Sequence, residues 1–331
     1  MPSKTTLVAG AGGFIGGHLV AKLASEGVDV RAVDIKPLHK WYQRFTKAEN
    51  ACLDLRLKEH CEKATEGVDR VYNFAADMGG MGFIESNKAL CMLSVLINTH
   101  LLQASAESGV STYFYASSAC VYRADKQCVT ELEDGLCECD AYPAMPEDGY
   151  GWEKLFSERM CRHFREDFGL QTRVARFHNI YGAHETWRGG REKAPAAICR
   201  KVIEAKRDGL DFIEVWGDGL QTRSFTYIDD CIHGVRMLTD SEVTEPLNIG
   251  SDQMISIDYL VSVVERIAGV ELERRYNLQA PKGVRGRNSN NDLIRSIFGW
   301  APDTRFEDGM VPTYEWIERQ VLSMPSEVAR A

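Results

Sequence analysis

The sequence predicts an α/β fold, a doubly wound parallel sheet with a smaller C-terminal domain. Three observations predict it. Apolar strands alternate with longer helical stretches through the first half, a glycine-rich string stands where the first strand meets the first helix, and the alternation breaks down after about residue 180. "TTLVAGA" (5–11) is a continuous apolar run of buried-strand length. "FIGGHLVAKLASEG" (14–27) follows with helical spacing and a closing Gly. "VDVRAVD" (28–34), "VDRVYNFAA" (68–76), "STYFYASS" (111–118) and "QTRVARF" (171–177) continue the strands, with helices near 83–108 and 148–168. Beyond residue 180, "YGAHETWRGGREKAP" and "PKGVRGRNSNND" are polar, Gly-rich and basic. Between them, "YIDDCIHGVRML" (227–238) and "ISIDYLVSVVERIAG" (255–269) carry amphipathic helical patterns.

The 331 residues are enough for one large domain or two closely joined ones. With 44% hydrophobic and 26% charged residues the composition is that of a globular enzyme. The net charge is −9 and no block of like charge stands out, so no nucleic-acid partner is expected. No apolar run is expected to reach the ~20 residues of a membrane span, and no basic-then-apolar leader is visible. The ten cysteines are scattered without a CxxC pair. Cys137 and Cys139 are too close for an easy disulfide and lack a ligand-bearing companion, so free thiols, no metal and a cytoplasmic location are the expectation.

Gly10, Gly13 and Gly16 form GxxGxxG, with Phe14 and Ile15 at the mouth of the first helix. Glycines there permit a tight turn and let a pyrophosphate approach the helix N-terminal amides. Asp34 ends the second strand, where a carboxylate accepts from a ribose 2′-hydroxyl and repels a 2′-phosphate, favouring NAD over NADP. The first domain is therefore read as a Rossmann-type NAD-binding domain over 1–177. Residues 178–325 are mainly substrate-binding, and a segment near 227–250 returns to the first domain.

"YGWEK" places Tyr150 and Lys154 on one helix face. An ammonium beside a phenol favours the phenolate, which can take a hydroxyl proton while hydride leaves the same carbon. Ser118 would hold that hydroxyl. Taken alone the spacing is equally that of an exposed i,i+4 pair; the nucleotide loop and the "YASSA" strand favour catalysis.

"GAGGFIG", "YASSACVY", "YGWEK", "RFHNIYG" and "RSFTYIDD" together resemble the extended short-chain dehydrogenase/reductase superfamily of nucleotide-sugar enzymes. More narrowly, "AADMGGMGFIESN" (75–87), "GGREKAPAA" (189–197), "GDGLQTRSFTYIDD" (217–230) and "GVRGRNS" (283–289) resemble the GDP-mannose 3,5-epimerase family. The resemblance covers about residues 5 to 320 and departs mostly at 123–147, 203–213 and 88–100. It implies bound NAD, a GDP-sugar substrate and, from the superfamily, a homodimer.

From the residues alone, Cys120 is as well read as a packing thiol, and Lys193 as an exposed lysine at a helix start. The resemblance makes them the acid–base pair that moves protons at C5 and C3 once C4 is a ketone. A thiol suits the base, since it titrates near ~8.5. The resemblance also implies substrate contacts from Gly79, Gly80, Ala119, Asn179, Glu192, Ala194, Gln221 and Thr222, with Lys201, Arg223 and Arg287 near the diphosphate and ribose. It puts Asp54 at the adenine end of NAD. His178 and Trp216 are read as packing.

The activity implied is conversion of GDP-D-mannose to GDP-L-galactose, with GDP-L-gulose as the C5-only product. A 5-epimerase would keep the same residues. A 4-epimerase has no use for Cys120 and Lys193, a dehydratase wants an acid and carboxylate that "ACVY" lacks, and a non-catalytic NAD sensor has no use for Ser118, Tyr150 and Lys154.

Overall fold

The computed structural model describes residues 5–324 apart from 131–133, 147 and 282. Seven parallel strands form the central sheet, in the order β11-β6-β5-β4-β1-β2-β3. The first six are β1 (Thr5–Ala9), β2 (Val30–Asp34), β3 (Glu49–Cys52), β4 (Val68–Asn73), β5 (Thr112–Ser118) and β6 (Gln171–Phe177). Among them run α1 (Phe14–Ser25), α2 (Lys58–Thr65), α3 (Met81–Ser86), α4 (Lys88–Met92), α5 (Ser94–Glu107) and α6 (Gly149–Phe168). Then follow β7 (Ile180–Tyr181), α7 (Ala194–Asp208), β8 (Phe212–Trp216), β9 (Thr222–Arg223), β10 (Thr226–Tyr227), α8 (Ile228–Thr239) and β11 (Leu247–Ile249). The chain closes with β12 (Ile255–Ser256), α9 (Ile257–Ala268), β13 (Glu273–Asn277), β14 (Gly286–Arg287), α10 (Asp292–Phe298) and α11 (Phe306–Leu322).

The order reverses at β1: β2 and β3 lie on one side and β4 on the other. This is the point at which doubly wound sheets open a ligand crevice beyond their strand C-termini. Apolar clusters cover both sheet faces. Val8, Tyr72 and Phe114 look toward α1 and α8, while Leu7, Val71 and Tyr113 belong to a second cluster with Leu101 and Cys161. A third cluster builds the C-terminal unit from α7, α9 and α11 around Val215 and Tyr181. β11 pairs with β6, and α8 and α10 pack against the first unit.

Two expectations are corrected. Cys137 and Cys139 are joined as a disulfide. Beside it, the Asp140 carboxylate receives the Cys137 N–H at 2.9 Å and pairs with Lys126. The run 88–107 is apolar and long enough by composition to cross a membrane. Here Asn87 and Leu93 divide the predicted helix into α3, α4 and α5, and the last packs on α2 and α6. Two of its polar atoms have partners inside the protein: Ser94 Oγ accepts the Asp77 N–H (2.9 Å) and Asn98 Oδ1 accepts the Tyr113 hydroxyl (2.8 Å).

Candidate active site

The nucleotide turn lies at the switch point. Gly10 has φ +83°, and a Cβ there would stand 2.9 Å from the Ala75 nitrogen. A Cβ on Gly16 would meet the Gly10 carbonyl at 2.3 Å, so the turn closes only without side chains. Gly13 caps α1 with no side-chain hydrogen bond, leaving the first amides of the helix, at Phe14 and Ile15, without a side-chain acceptor. That arrangement fits the pyrophosphate of a dinucleotide. Asp34 is buried at the end of β2 and accepts the Lys36 N–H at 2.8 Å. Burial raises its carboxyl above the usual range, and backbone amides oppose that rise. Lys36 folds back onto the Gly12 carbonyl (3.2 Å). Asp54 is gripped by Arg56 at 2.7–3.2 Å, next to Leu53, whose N–H donates to the Asp34 carbonyl.

β5 delivers Ser118 to the crevice, and its hydroxyl accepts the Cys120 N–H at 3.2 Å while also meeting the Tyr150 phenol. Strand alternation sends Ser117 the other way, to donate to the buried Glu158 at 2.5 Å. Asp148 caps α6 by accepting the Tyr150 N–H (3.2 Å), which starts the helix at the residue pair it must present. The pair departs from the simple reading of an ammonium lowering a phenol. Lys154 Nζ donates to the Tyr115 hydroxyl and the Ala116 carbonyl, both at 3.1 Å, and sits 5.6 Å from the Tyr150 ring centre. Burial pushes the Tyr150 phenol well up, with Cys120 and Glu153 adding to the rise and the Ser118 contact opposing it.

Cys120 and Ala119 are buried just beyond Ser118. Arg287, also buried, donates from Nη1 to Cys120 Sγ at 3.5 Å and from Nε to Gln127 Oε1 at 2.5 Å. β14 runs beside β9 and turns the guanidinium inward to the thiol. Lys193 caps α7, Ala194 begins it, and the ammonium interacts with Glu185, Cys120 and Cys231. Burial lowers its proton affinity and those three groups raise it.

The glycines of "MGGMG" close a loop-to-loop contact. A Cβ on Gly80 would lie 2.4 Å from the Glu192 carbonyl, and one on Gly79 would meet Phe83 at 2.9 Å. Gly80 N–H donates to the Arg191 carbonyl (3.1 Å), and the Arg191 guanidinium lies 3.8 Å from the Phe83 ring centre. Glu192 is likewise occupied by protein, accepting from Gly190 N–H (2.7 Å) and Arg200 (3.2 Å).

Asn179, at φ +36°, donates to the Ser224 carbonyl at 3.1 Å. Lys201 donates to the Glu214 carbonyl (2.7 Å) beside the Trp216 ring. Gln221 donates to the Trp216 carbonyl (2.8 Å), and its buried Oε1 has no partner among the described residues. Thr222 donates to the Thr130 carbonyl (2.5 Å), and Arg223 to the Thr222 and Val284 carbonyls at 2.7 and 2.5 Å. Trp216 is 43% exposed, contrary to its reading as packing, and stands over Gly82 and Lys201. His178 is fully buried and meets Asn248 at 3.1 Å.

Residues 6–250 match the NAD dependent epimerase/dehydratase family. The chain is 48% identical over 315 residues to GDP-mannose 3,5-epimerase 1 of Oryza sativa subsp. japonica, covering 95% of this chain and 82% of that protein. GDP-mannose 3,5-epimerase of Arabidopsis thaliana matches with the same identity and coverage. The chain belongs to the GDP-mannose 3,5-epimerase family. GDP-L-fucose synthase of Sinorhizobium fredii is more distant from this epimerase-family chain, at 27% identity over 95% of it and 96% of the relative. The fold matches that of a Thermus thermophilus UDP-glucose 4-epimerase crystallised with NAD, with a TM-score of 0.79, 21% identity and coverage of 95% and 98%.

Sequence reasoning missed Tyr115, Glu153, Gln127, Glu185 and Arg191. Tyr115 and Glu153 hold Lys154, since Glu153 Oε1 accepts the Tyr115 hydroxyl at 3.1 Å and its other oxygen lies 3.8 Å from Lys154 Nζ. A glutamate immediately before the lysine in "YGWEK" was the visible signal. Gln127 carried none, because it meets Arg287 across 160 residues of chain.

Proposed function

We propose that this chain epimerises GDP-D-mannose at C5 and C3 to GDP-L-galactose, releasing GDP-L-gulose when only C5 inverts. The observation that carries the reading is the meeting of Cys120, Lys193 and Tyr150 at one site. The Gly10–Gly16 turn, with Asp34 and Asp54, would hold NAD, which when bound would supply reversible hydride acceptance at C4. Tyr150 receives the C4 hydroxyl proton on its phenolic oxygen, Ser118 orients that hydroxyl, and Lys154 fixes the local charge through Tyr115. With C4 a ketone, hydrogens on both neighbouring carbons become acidic. Cys120 Sγ takes such a proton and Lys193 Nζ returns one on the other face. Both oxidation and its reversal occur within a turnover, so no net redox change results.

Incubation with GDP-mannose in heavy water tests this. GDP-gulose and GDP-galactose should form with deuterium at each inverted carbon. Recovery of unlabelled GDP-mannose alone would sink the reading, and label confined to C5 would reduce it to a 5-epimerase.

The homodimer is part of the proposal. Met92 on α4, Leu93 at the junction and Leu96 on α5, with Trp152 and Phe156 on the adjoining α6, are neighbouring exposed apolar side chains. Such a patch favours burial against a second copy. Sedimentation should show a dimer at micromolar concentration and a monomer for Phe156→Glu; a monomeric wild-type chain would refute it.

A further inference from the structure

The segment after β2 lies against the nucleotide turn. Residues 35–48 hold one short 3₁₀ turn, Leu38–Lys40, and otherwise no helix or strand. The segment starts at the Asp34 carboxylate and folds back. Lys36 Nζ donates to the Gly12 carbonyl (3.2 Å), and Trp41 Nε1 donates to the Lys36 carbonyl (2.9 Å). Trp41 is pressed so closely on the turn that a Cβ on Gly12 would stand 2.5 Å from its indole nitrogen. A Cβ on Gly17 would stand 3.0 Å from Gln43 Nε2. Between these two contacts the chain reaches across to the C-terminal unit. Tyr42 is 47% exposed, yet its ring meets Trp316 of α11 edge-on, with 5.1 Å between centres and 85° between planes. Trp316 belongs to the buried cluster of that unit and lies 5.0 Å from His184. His184 lies 5.6 Å from His18 of α1, and His18 lies 5.4 Å from Phe14 at the mouth of the same helix. His18 Nε2 also meets the Ala183 carbonyl at 2.9 Å. Side-chain rings thus run unbroken from the helix mouth, through the C-terminal unit, to the segment after β2.

We propose that residues 35–48 form a strap over bound NAD, clasped by Tyr42 on Trp316, and that the clasp sets how fast the cofactor enters and leaves. Both ends of the strap's contact surface, Asp34 and Gly12, belong to the nucleotide site. The reaction proposed above ends with the same cofactor it begins with, so loss of cofactor midway would strand a 4-keto sugar. The strap rests on that reading for its purpose and on the nucleotide site for its existence. The ring contact is made with the strap down and broken with it raised. Losing the contact raises the population of the raised state, through which both entry and exit pass. The two rates therefore increase together, and the affinity, which is their ratio, hardly changes.

The test is Tyr42→Ala, with Tyr42→Phe as the variant that keeps the ring. Protein loaded with NADH is mixed with excess NAD, and the fall in bound-NADH fluorescence gives the exit rate. Equilibrium titration with NADH gives Kd, and the entry rate follows from the two. Tyr42→Ala should release NADH roughly five- to tenfold faster, the scale of one aromatic pair, with Kd within about twofold of wild type. Tyr42→Phe should match wild type. Trp316→Leu breaks the same contact from the other side, and adding it to Tyr42→Ala should quicken exit no further. Trp316 is buried, so if its variant folds poorly the two variants at the exposed Tyr42 decide alone. An unchanged exit rate in Tyr42→Ala would overturn the proposal, as would exit from Tyr42→Phe as fast as from Tyr42→Ala. So would a Kd weakened in step with exit, which marks a damaged site rather than a released strap. NADH binding needs no sugar, so the outcome stands apart from the epimerase reading. Wild type that binds and holds NADH but does not exchange deuterium defeats only that reading, whereas normal exchange with unaltered release from Tyr42→Ala defeats only the strap.

Discussion

Cys120→Ala is expected to abolish solvent exchange at C5 and C3 while leaving C4 oxidation in place. The variant retains Ser118, Tyr150 and Lys154, whose contacts to β5 and α6 do not pass through the sulfur. In heavy water with GDP-mannose it should form a 4-keto sugar slowly and incorporate roughly 10² to 10⁴ times less deuterium than wild type, the range for loss of a positioned proton-transfer group. Cys120→Ser is the closer test. It nearly preserves the size and can still accept from Arg287 Nη1, which lies 3.5 Å from the sulfur. Its hydroxyl, however, is a far poorer source of anion than a thiol at neutral pH. Both variants should therefore fail in the same way. Full deuterium uptake by either would make Cys120 a packing residue and move the base elsewhere.

Tyr150→Phe should fail one step earlier. Removing the phenolic oxygen takes away the acceptor for the C4 hydroxyl proton, so oxidation itself should drop by roughly 10² to 10⁴, and every later exchange with it. The ring remains to fill the cluster with Ile84, Cys91 and Cys120, so the fold should be preserved. A pH signature accompanies this. Burial holds the Tyr150 phenol well above its ordinary range. The proton-accepting form is thus scarce at neutral pH and grows as pH rises, and C4 oxidation by wild type should climb with pH through the neutral range. The Phe variant should show no such climb. Stopped-flow absorbance of NADH formation on mixing with GDP-mannose reads both effects. Near-normal oxidation in Tyr150→Phe would remove the residue from the mechanism.

These two expectations draw on different kinds of information. The strands were legible because each is a short apolar run of fixed length: 171–177 coincides with β6, and 111–118 overshoots β5 by one residue. The nucleotide turn was legible because its constraint is local, a backbone reversal that tolerates no Cβ at Gly16. Elements beyond residue 180 were harder to read. β7, β9, β10, β12 and β14 are two-residue pairings, too short for a period to show. α7 begins at the end of a polar, Gly-rich run that hid its amphipathic face.

The candidate site divides in the same way. Ser118, Cys120, Tyr150, Lys154 and Lys193 are identifiable by type and by resemblance to a family, so the sequence by itself determined which side chains are the candidates for the chemistry. The tertiary structure alone decided what surrounds them. Arg287 lies 167 residues from Cys120 and meets its sulfur, and Tyr115 lies 39 residues from Lys154 and accepts from its ammonium. Residue type and near-neighbour spacing record local conformation, whereas burial and partners over such separations are set by how the sheet, its crossovers and the C-terminal unit pack. Proton affinity depends on that packing, because desolvation and the nearest charges govern it.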